Sequence, residues 1–318
     1  MTATVGEWTT LQHLCDLDGW TSVGLGALLD TAESMAEILD RPIPRVPALR
    51  GRTVLLLFYE ASTRTRHSFE LACKALGADS LSLAAATSSA AKGESLVDTL
   101  RTAKTLGADA VVLRHPDSGA AEVAAATGLL PVINAGDGTH AHPTQALADL
   151  FAVRRRLGRL AGLRVTIVGD ILHSRVARSA ARGFRACDAA VTLCGPPPLV
   201  PPHAAPALGA RVEYDLERAL TGADVVMALR VQRERQQQGL VPGAADYRAG
   251  WGLDVRRLQS FCPQALVLHP GPVNRGVELS PEVLDLPQAV VGEQVTAGVA
   301  VRMAVLYRIL ESEGTEGA

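Results

Sequence analysis

The sequence predicts an α/β protein of two domains, each a mostly parallel sheet flanked by helices. Short apolar runs alternate with stretches of helical periodicity along the chain, the pattern of layered α/β folds. A length of 318 residues exceeds one ordinary hydrophobic core and suits two of about 150 residues each. Hydrophobic residues make up 47% and charged residues 20%, a globular composition rather than a disordered one.

The elements follow in order. Residues 25–39 repeat leucine and alanine at helical spacing, and Pro42 and Pro44 stop the helix. Residues 53–58 (TVLLLF), after Gly51, are a buried strand. Helices are expected at 66–76 and 94–106, strands at 109–113 and 131–133, and a helix at 142–157. The Arg154-Arg155-Arg156 run reads as a solvated last turn. A second series begins with a strand at 163–168, a helix at 174–186, a strand at 189–194 and a proline-rich loop at 196–206. Short strands follow at 224–228 and 266–268, and a helix at 295–311 leads into a fraying Gly/Glu-rich tail. The domains are expected at 1–150, joined by the C-terminal helix from about 295 to 318, and at 151–294. In such sheets ligands bind at the carboxyl ends of strands.

Bulk properties exclude several classes. A net charge of −2 gives neither nucleic acid nor an anionic membrane a reason to be the main partner. The mean hydropathy is positive largely because of alanine, and no apolar run reaches the roughly 18 residues of a membrane span. Residues 1–20 carry Glu7, Asp16 and Asp18 and lack a signal-peptide core, so a cytoplasmic protein is expected. The cysteines (Cys15, Cys73, Cys187, Cys194, Cys262) are scattered and odd in number, with no C-x-x-C pair. They read as small buried hydrophobes rather than a disulfide or zinc framework. Only Lys74, Lys92 and Lys104 are lysine; the other 28 of the 31 basic residues are arginine. Nucleotide bias explains this best, yet it directs attention to each remaining lysine.

The strongest local signal is Ser62-Thr63-Arg64-Thr65-Arg66, which follows a strand and opens a helix. Unpaired N–H groups, partial positive charge, hydroxyl donors and a guanidinium together suit a phosphate. Neither a Walker loop nor a G-x-G-x-x-G fingerprint occurs.

This segment, continuing as Ser68-Phe69-Glu70, resembles the carbamoyl phosphate loop of the aspartate and ornithine carbamoyltransferases. The resemblance extends over almost the whole chain. It takes in Leu113-Arg114-His115-Pro116, Asn134-Ala135-Gly136-Asp137-Gly138, His142-Pro143-Thr144-Gln145 and Arg230-Val231-Gln232-Arg233-Glu234-Arg235. It ends with His269-Pro270-Gly271-Pro272-Val273-Asn274-Arg275-Gly276-Val277-Glu278. Each block is weak alone; five in order at family-like spacing are strong.

The resemblance implies carbamoyl transfer to the α-amine of L-aspartate, an early step of de novo pyrimidine biosynthesis, without metal or organic cofactor. Carbamoyl phosphate would be held by Ser62, Thr63, Arg64, Thr65, Arg114, His142, Gln145 and the backbone of Gly271 and Pro272. Of these, Arg64, Thr65, Arg114 and His142 would act on the reacting group. Chemistry requires donors aimed at a developing oxyanion and cations around the departing phosphate. Arg175 and Arg230, each after a strand, would grip the aspartate carboxylates fork-to-fork, with Gln232 assisting. Arg178 and Arg182, further into their helix, read as surface arginines. No side chain stands out as general base; the leaving phosphate can take the proton. His140 and His142 form an H-x-H pair, but no third ligand stands at a sensible spacing, so no metal is expected.

Lys92 lies in the small-residue segment 84–94, which resembles the Ser/Lys loop of the family's aspartate branch. The segment reads as a mobile loop before a helix, one that precedes rather than terminates a strand and is therefore poorly placed to reach its own cleft at the strand ends. The family then implies a homotrimer in which Ser88 and Lys92 enter a neighbour's site. Larger assemblies with regulatory or dihydroorotase-like chains also occur in the family. Two other readings of the sequence fit it less well. An ornithine enzyme needs an acidic pocket and a cysteine in the loop that here reads His269-Pro270-Gly271-Pro272. A catalytically silent structural relative would not need every ligand type that this sequence keeps.

Overall fold

The computed structural model describes residues 11–84, 94–231 and 243–312. The chain divides into two compact units, Met1–Leu147 with Ala297–Ala318, and Ala148–Thr296.

In the first unit, α1 (Ser22–Leu39) begins where the Thr21 hydroxyl accepts the Gly24 N–H at 3.3 Å. It buries Leu25, Leu28, Leu29, Ala32, Met35 and Ala36 on one helical face. Each buried leucine contributes roughly 1.5–3 kcal/mol relative to exposure. β1 (Thr53–Phe58), β2 (Asp79–Ala84), β3 (Ala110–His115) and β4 (Val132–Asp137) form one parallel sheet in the order β2-β1-β3-β4. Apart from half-buried Thr53, β1 is buried throughout, as its unbroken apolar run requires. The Asp109 carboxylate fixes its start, accepting the Thr53 N–H at 2.7 Å and pairing with Arg52 at 2.9 Å. α2 (Thr63–Leu76) ends at Gly77, whose φ of 78° is the left-handed cap that glycine supplies without strain. α3 (Leu96–Thr105) and α4 (Ala120–Ala126) complete the layer. Leu55, Leu57, Leu100, Val111, Leu113, Ala124 and Val132 belong to one of its cores.

The chain passes into the second unit within α5 (Pro143–Leu157). β5 (Arg164–Val168), α6 (Arg175–Ala186), β6 (Ala190–Cys194), α7 (Ala204–Leu208), β7 (Arg211–Glu213), α8 (Leu216–Leu220) and β8 (Val225–Ala228) follow. Then come α9 (Ala244–Trp251), α10 (Val255–Phe261), β9 (Leu266–Leu268) and α11 (Val291–Ser312). The strands pair in parallel in the order β7-β6-β5-β8-β9. Val168, Val226, Val267, Leu253 and Leu279 share a core beneath α8 and α10. Gly169, at φ 137°, lets β5 leave the sheet beside β8. A Cβ there would lie 2.9 Å from the Leu229 Cβ.

Three expectations need correction. The segment 84–94 follows a strand, because β2 ends at Ala84. Its start is therefore at the carboxyl edge of the sheet, so the expected position ahead of a strand, poorly placed to reach its own cleft, does not hold. The expected loop at 196–206 contains a short 3-10 turn, Pro197–Leu199, and the start of α7. Arg178 and Arg182 are half-buried rather than surface arginines. Arg178 donates to the Leu172 carbonyl at 3.2 Å.

Candidate active site

All strands of each sheet run in parallel, so the residue after each strand lies at one edge. In the first unit the expected residues Ser62, Thr63, Arg64, Thr65, Arg114, His142 and Gln145 stand at or just beyond that edge.

Ser62 is the N-cap residue of α2, yet its hydroxyl makes no capping hydrogen bond, and the first turn carries no acidic residue. A hydroxyl that does not cap the helix and the helix's leading N–H groups offer donors to an anion. Thr63 and Arg64 are exposed and Thr65 is buried. Arg64 stands in the first turn of α2 with its side chain exposed.

Arg114 stands at the end of β3, in register with Phe58 of β1. Its Nη1 donates to the Ala135 carbonyl at 3.0 Å, and Glu60 pairs with its Nε at 3.4 Å. Glu60 is a residue that sequence reasoning missed; its place directly after a strand, two residues before Ser62, was the available signal. The end of β4 is held by its own side chains. Asn134 Nδ2 donates to Asp137 Oδ1 at 2.8 Å, and the Gly136 N–H donates to Asn134 Oδ1 at 2.8 Å. His142 (5% exposed) follows at the start of α5, its carbonyl accepting the Gln145 N–H at 3.1 Å.

The two histidines of the H-x-H pair have different surroundings. His140 Nδ1 is 3.0 Å from Asp137 Oδ2, while its Nε2 is 3.7 Å from Asp16 and 3.6 Å from Glu122. Asp16, Glu122 and His140 place their ligand atoms within 4.8 Å of one another. The sequence spacing gave no hint of the two carboxylates beside His140, and His142 is not part of that group.

In the second unit, three adjacent strands end in the other expected groups. After β5, Ser174 caps α6 by accepting the Ala177 N–H at 3.1 Å, and Arg175 begins the helix, buried at 6% exposure. A buried guanidinium at this edge suits a carboxylate, with geometry that a lysine could not reproduce. After β8 comes half-buried Arg230. After β9 comes His269, then Pro270, Gly271 at φ 66°, and Pro272 behind a cis peptide bond. Ser88, Lys92 and Gln232 lie outside the described residues.

No cysteine is poised as a nucleophile. Burial pushes the thiols of Cys15, Cys73 and Cys194 up to about 12, with carboxylates adding to the effect at each. Burial pushes Cys187 and Cys262 up to about 11. At neutral pH such thiols carry almost no thiolate. Among the described residues no helix is long and apolar enough to cross a membrane.

Both units have counterparts in known proteins. Residues 12–155 match the carbamoyl-P binding domain of aspartate/ornithine carbamoyltransferases, and residues 161–309 match the Asp/Orn binding domain. An aspartate carbamoyltransferase catalytic subunit from Pelotomaculum thermopropionicum is 59% identical over 88% of this chain and 90% of that relative. Its counterpart from Chloroflexus aurantiacus is 53% identical over 94% and 98%. Among solved structures, aspartate transcarbamoylase from Trypanosoma cruzi, in complex with carbamoyl phosphate and aspartate, is similar at a TM-score of 0.84. It is 29% identical, covering 94% of this chain and 97% of that one. The catalytic subunit of the M. jannaschii enzyme is similar at 0.84 and 33% identity, covering 97% and 100%.

Proposed function

The chain belongs to the aspartate/ornithine carbamoyltransferase family, and from that premise we propose how it works. It transfers the carbamoyl group of carbamoyl phosphate to the α-amine of L-aspartate, giving N-carbamoyl-L-aspartate and phosphate. The observation that best supports this reading is the gathering of Arg64, Thr65, Arg114 and His142 at one edge of a single parallel sheet.

In the proposed mechanism the neutral α-amine attacks the carbamoyl carbon. A C–N bond forms, the carbonyl oxygen becomes an oxyanion, and the C–O bond to phosphorus-bound oxygen breaks as phosphate leaves with the amine's proton. Arg64, Thr65, Arg114 and His142 stabilise the oxyanion and the departing charge. Ser62 and Thr63 donate to phosphate, Gln145 contacts the carbamoyl amide, and Gly271 and Pro272 approach the ligand through backbone. Arg175 and Arg230 hold the two carboxylates of aspartate, with Gln232 and Lys92 assisting. Holding two anions in reacting geometry supplies most of the rate, since effective molarities for oriented partners reach about 10⁵–10⁸ M.

The first unit, with the end of α11, is assigned to carbamoyl phosphate and the second to aspartate. We assign the protein to the cytoplasm and to a homotrimer in which Ser88 and Lys92 come from a neighbouring subunit. The name "catalytic subunit" carried by its relatives supports an assembly of more than one chain.

A steady-state assay tests the activity. Phosphate release from carbamoyl phosphate should require aspartate and should not be supported by ornithine. The same rate should be seen after exhaustive chelation. Release with ornithine alone would overturn the reading.

A further inference from the structure

We infer that His269 is a positioning residue that sets the Gly271–Pro272 turn from two buried carboxylates. This rests on the reading that the turn's backbone meets carbamoyl phosphate.

His269 is 1% exposed and lies directly after β9. Its Nδ1 is 2.8 Å from the Gly271 nitrogen. A backbone N–H can only donate, so Nδ1 is the acceptor and the ring proton sits on Nε2. That proton points at Glu278, whose Oε1 is 3.3 Å away on a side chain 1% exposed. The Gly271 N–H thus distinguishes the two ring nitrogens, Nδ1 as its acceptor and Nε2 facing the carboxylate.

The backbone of His269 is held by buried groups as well. The His269 N–H donates to Gln294 Oε1 at 3.0 Å, and Gln294 Nε2 donates to Asp149 Oδ1 at 2.7 Å. Asp149 is fully buried and Gln294 is 4% exposed. On the far side, Glu278 Oε1 also accepts the Asn274 N–H at 2.6 Å, and Asn274 Nδ2 donates to the Val231 carbonyl at 3.3 Å. Val231 is the neighbour of Arg230. One chain of hydrogen bonds thus runs from α5 and α11 through His269 into the turn, and through Glu278 to the segment that carries Arg230.

Gly271 needs this hold. At φ 66° it has the conformational freedom of glycine, and the one hydrogen bond its N–H makes within the turn is to His269. A ligand contact made through backbone is only as well placed as that backbone. Misplacement by about 1 Å can cost as much as 100-fold.

Two substitutions separate the ring's two nitrogens. His269→Gln keeps a donor near the Nε2 position and removes the acceptor for Gly271. His269→Asn keeps an acceptor near Nδ1. His269→Gln should raise the KM for carbamoyl phosphate by about tenfold or more, and His269→Asn should recover most of that loss. A purely structural histidine predicts instead that both variants melt at lower temperature with KM within about twofold of the parent; that result overturns the proposal. Gly271→Ala separates the inference from the reading beneath it. If Gly271→Ala raises this KM and neither His269 variant does, the turn touches the ligand but His269 does not position it. If none of the three does, the assignment of Gly271 to carbamoyl phosphate fails as well. Should His269→Gln not fold, Glu278→Gln serves in its place. An unchanged KM in that variant counts against the proposal, and a raised one supports it.

Discussion

Glu60 grips Arg114 from the neighbouring strand's exit: its Oε2 lies 3.4 Å from the guanidinium Nε, while Nη1 donates to the Ala135 carbonyl at 3.0 Å. The side chain of Arg114, 14% exposed near the end of β3, is thereby restrained on two sides. Glu60→Gln removes the charge and keeps the shape. It should lower kcat by about tenfold, the scale of one lost charge-assisted contact. The KM for aspartate should stay close to that of the parent. Measured kinetics with both constants unchanged would show that Arg114 is held adequately without Glu60.

Arg64 and Arg230 stand on different units and should fail differently. Arg64→Ala should weaken carbamoyl phosphate binding and turnover together. Arg230→Ala should mainly raise the aspartate requirement, by roughly 2–5 kcal/mol if the paired carboxylate is buried. Initial-rate matrices in both substrates distinguish the two, and exchanged phenotypes would refute the assignment of substrates to units.

Much of this arrangement was legible in the sequence, for a physical reason. β1 and β5 are buried runs bounded by glycine, and the residues that follow them inherit a fixed position at the sheet edge. Hence Ser62–Thr65 and Arg175 could be placed from spacing alone. β2 was not legible, because DSLSLA is an edge strand whose alternating serines carry little apolar signal. β7 and α8 are too short to show a period. Glu60 beside Arg114, and His269 beside Glu278, depend on how loops return in space, and no local pattern records that. The same holds for Asp16 and Glu122, which flank His140 from distant parts of the sequence.

The thiols give a chemical check. Because burial raises Cys15, Cys73 and Cys194 to about 12 and Cys187 and Cys262 to about 11, thiolate is scarce at neutral pH and grows only as pH climbs toward those values. Iodoacetamide at neutral pH should leave activity intact and label the native chain slowly, with fast labelling only after unfolding. Rapid inactivation, prevented by substrates, would place a reactive cysteine in the site and contradict this account.

Shared sites predict rescue between inactive variants. Arg64→Ala and Lys92→Ala assemblies should each be nearly inactive. Dissociated and reassembled together, they should regain a fraction of the parent activity, because a mixed trimer can form one undamaged site. Mixed trimers confirmed by mass that stay inactive would mean that Lys92 serves its own chain or none.

In the reaction a new bond joins the carbamoyl carbon to the α-nitrogen of aspartate. Carbamoyl phosphate labelled at its carbonyl carbon and aspartate labelled at its nitrogen, both with NMR-active isotopes, test this directly in the presence of unlabelled ornithine. The expected product has carbon and nitrogen signals coupled through one bond and forms in equal amount with phosphate. Uncoupled labels, or a labelled carbon appearing on ornithine, would contradict it.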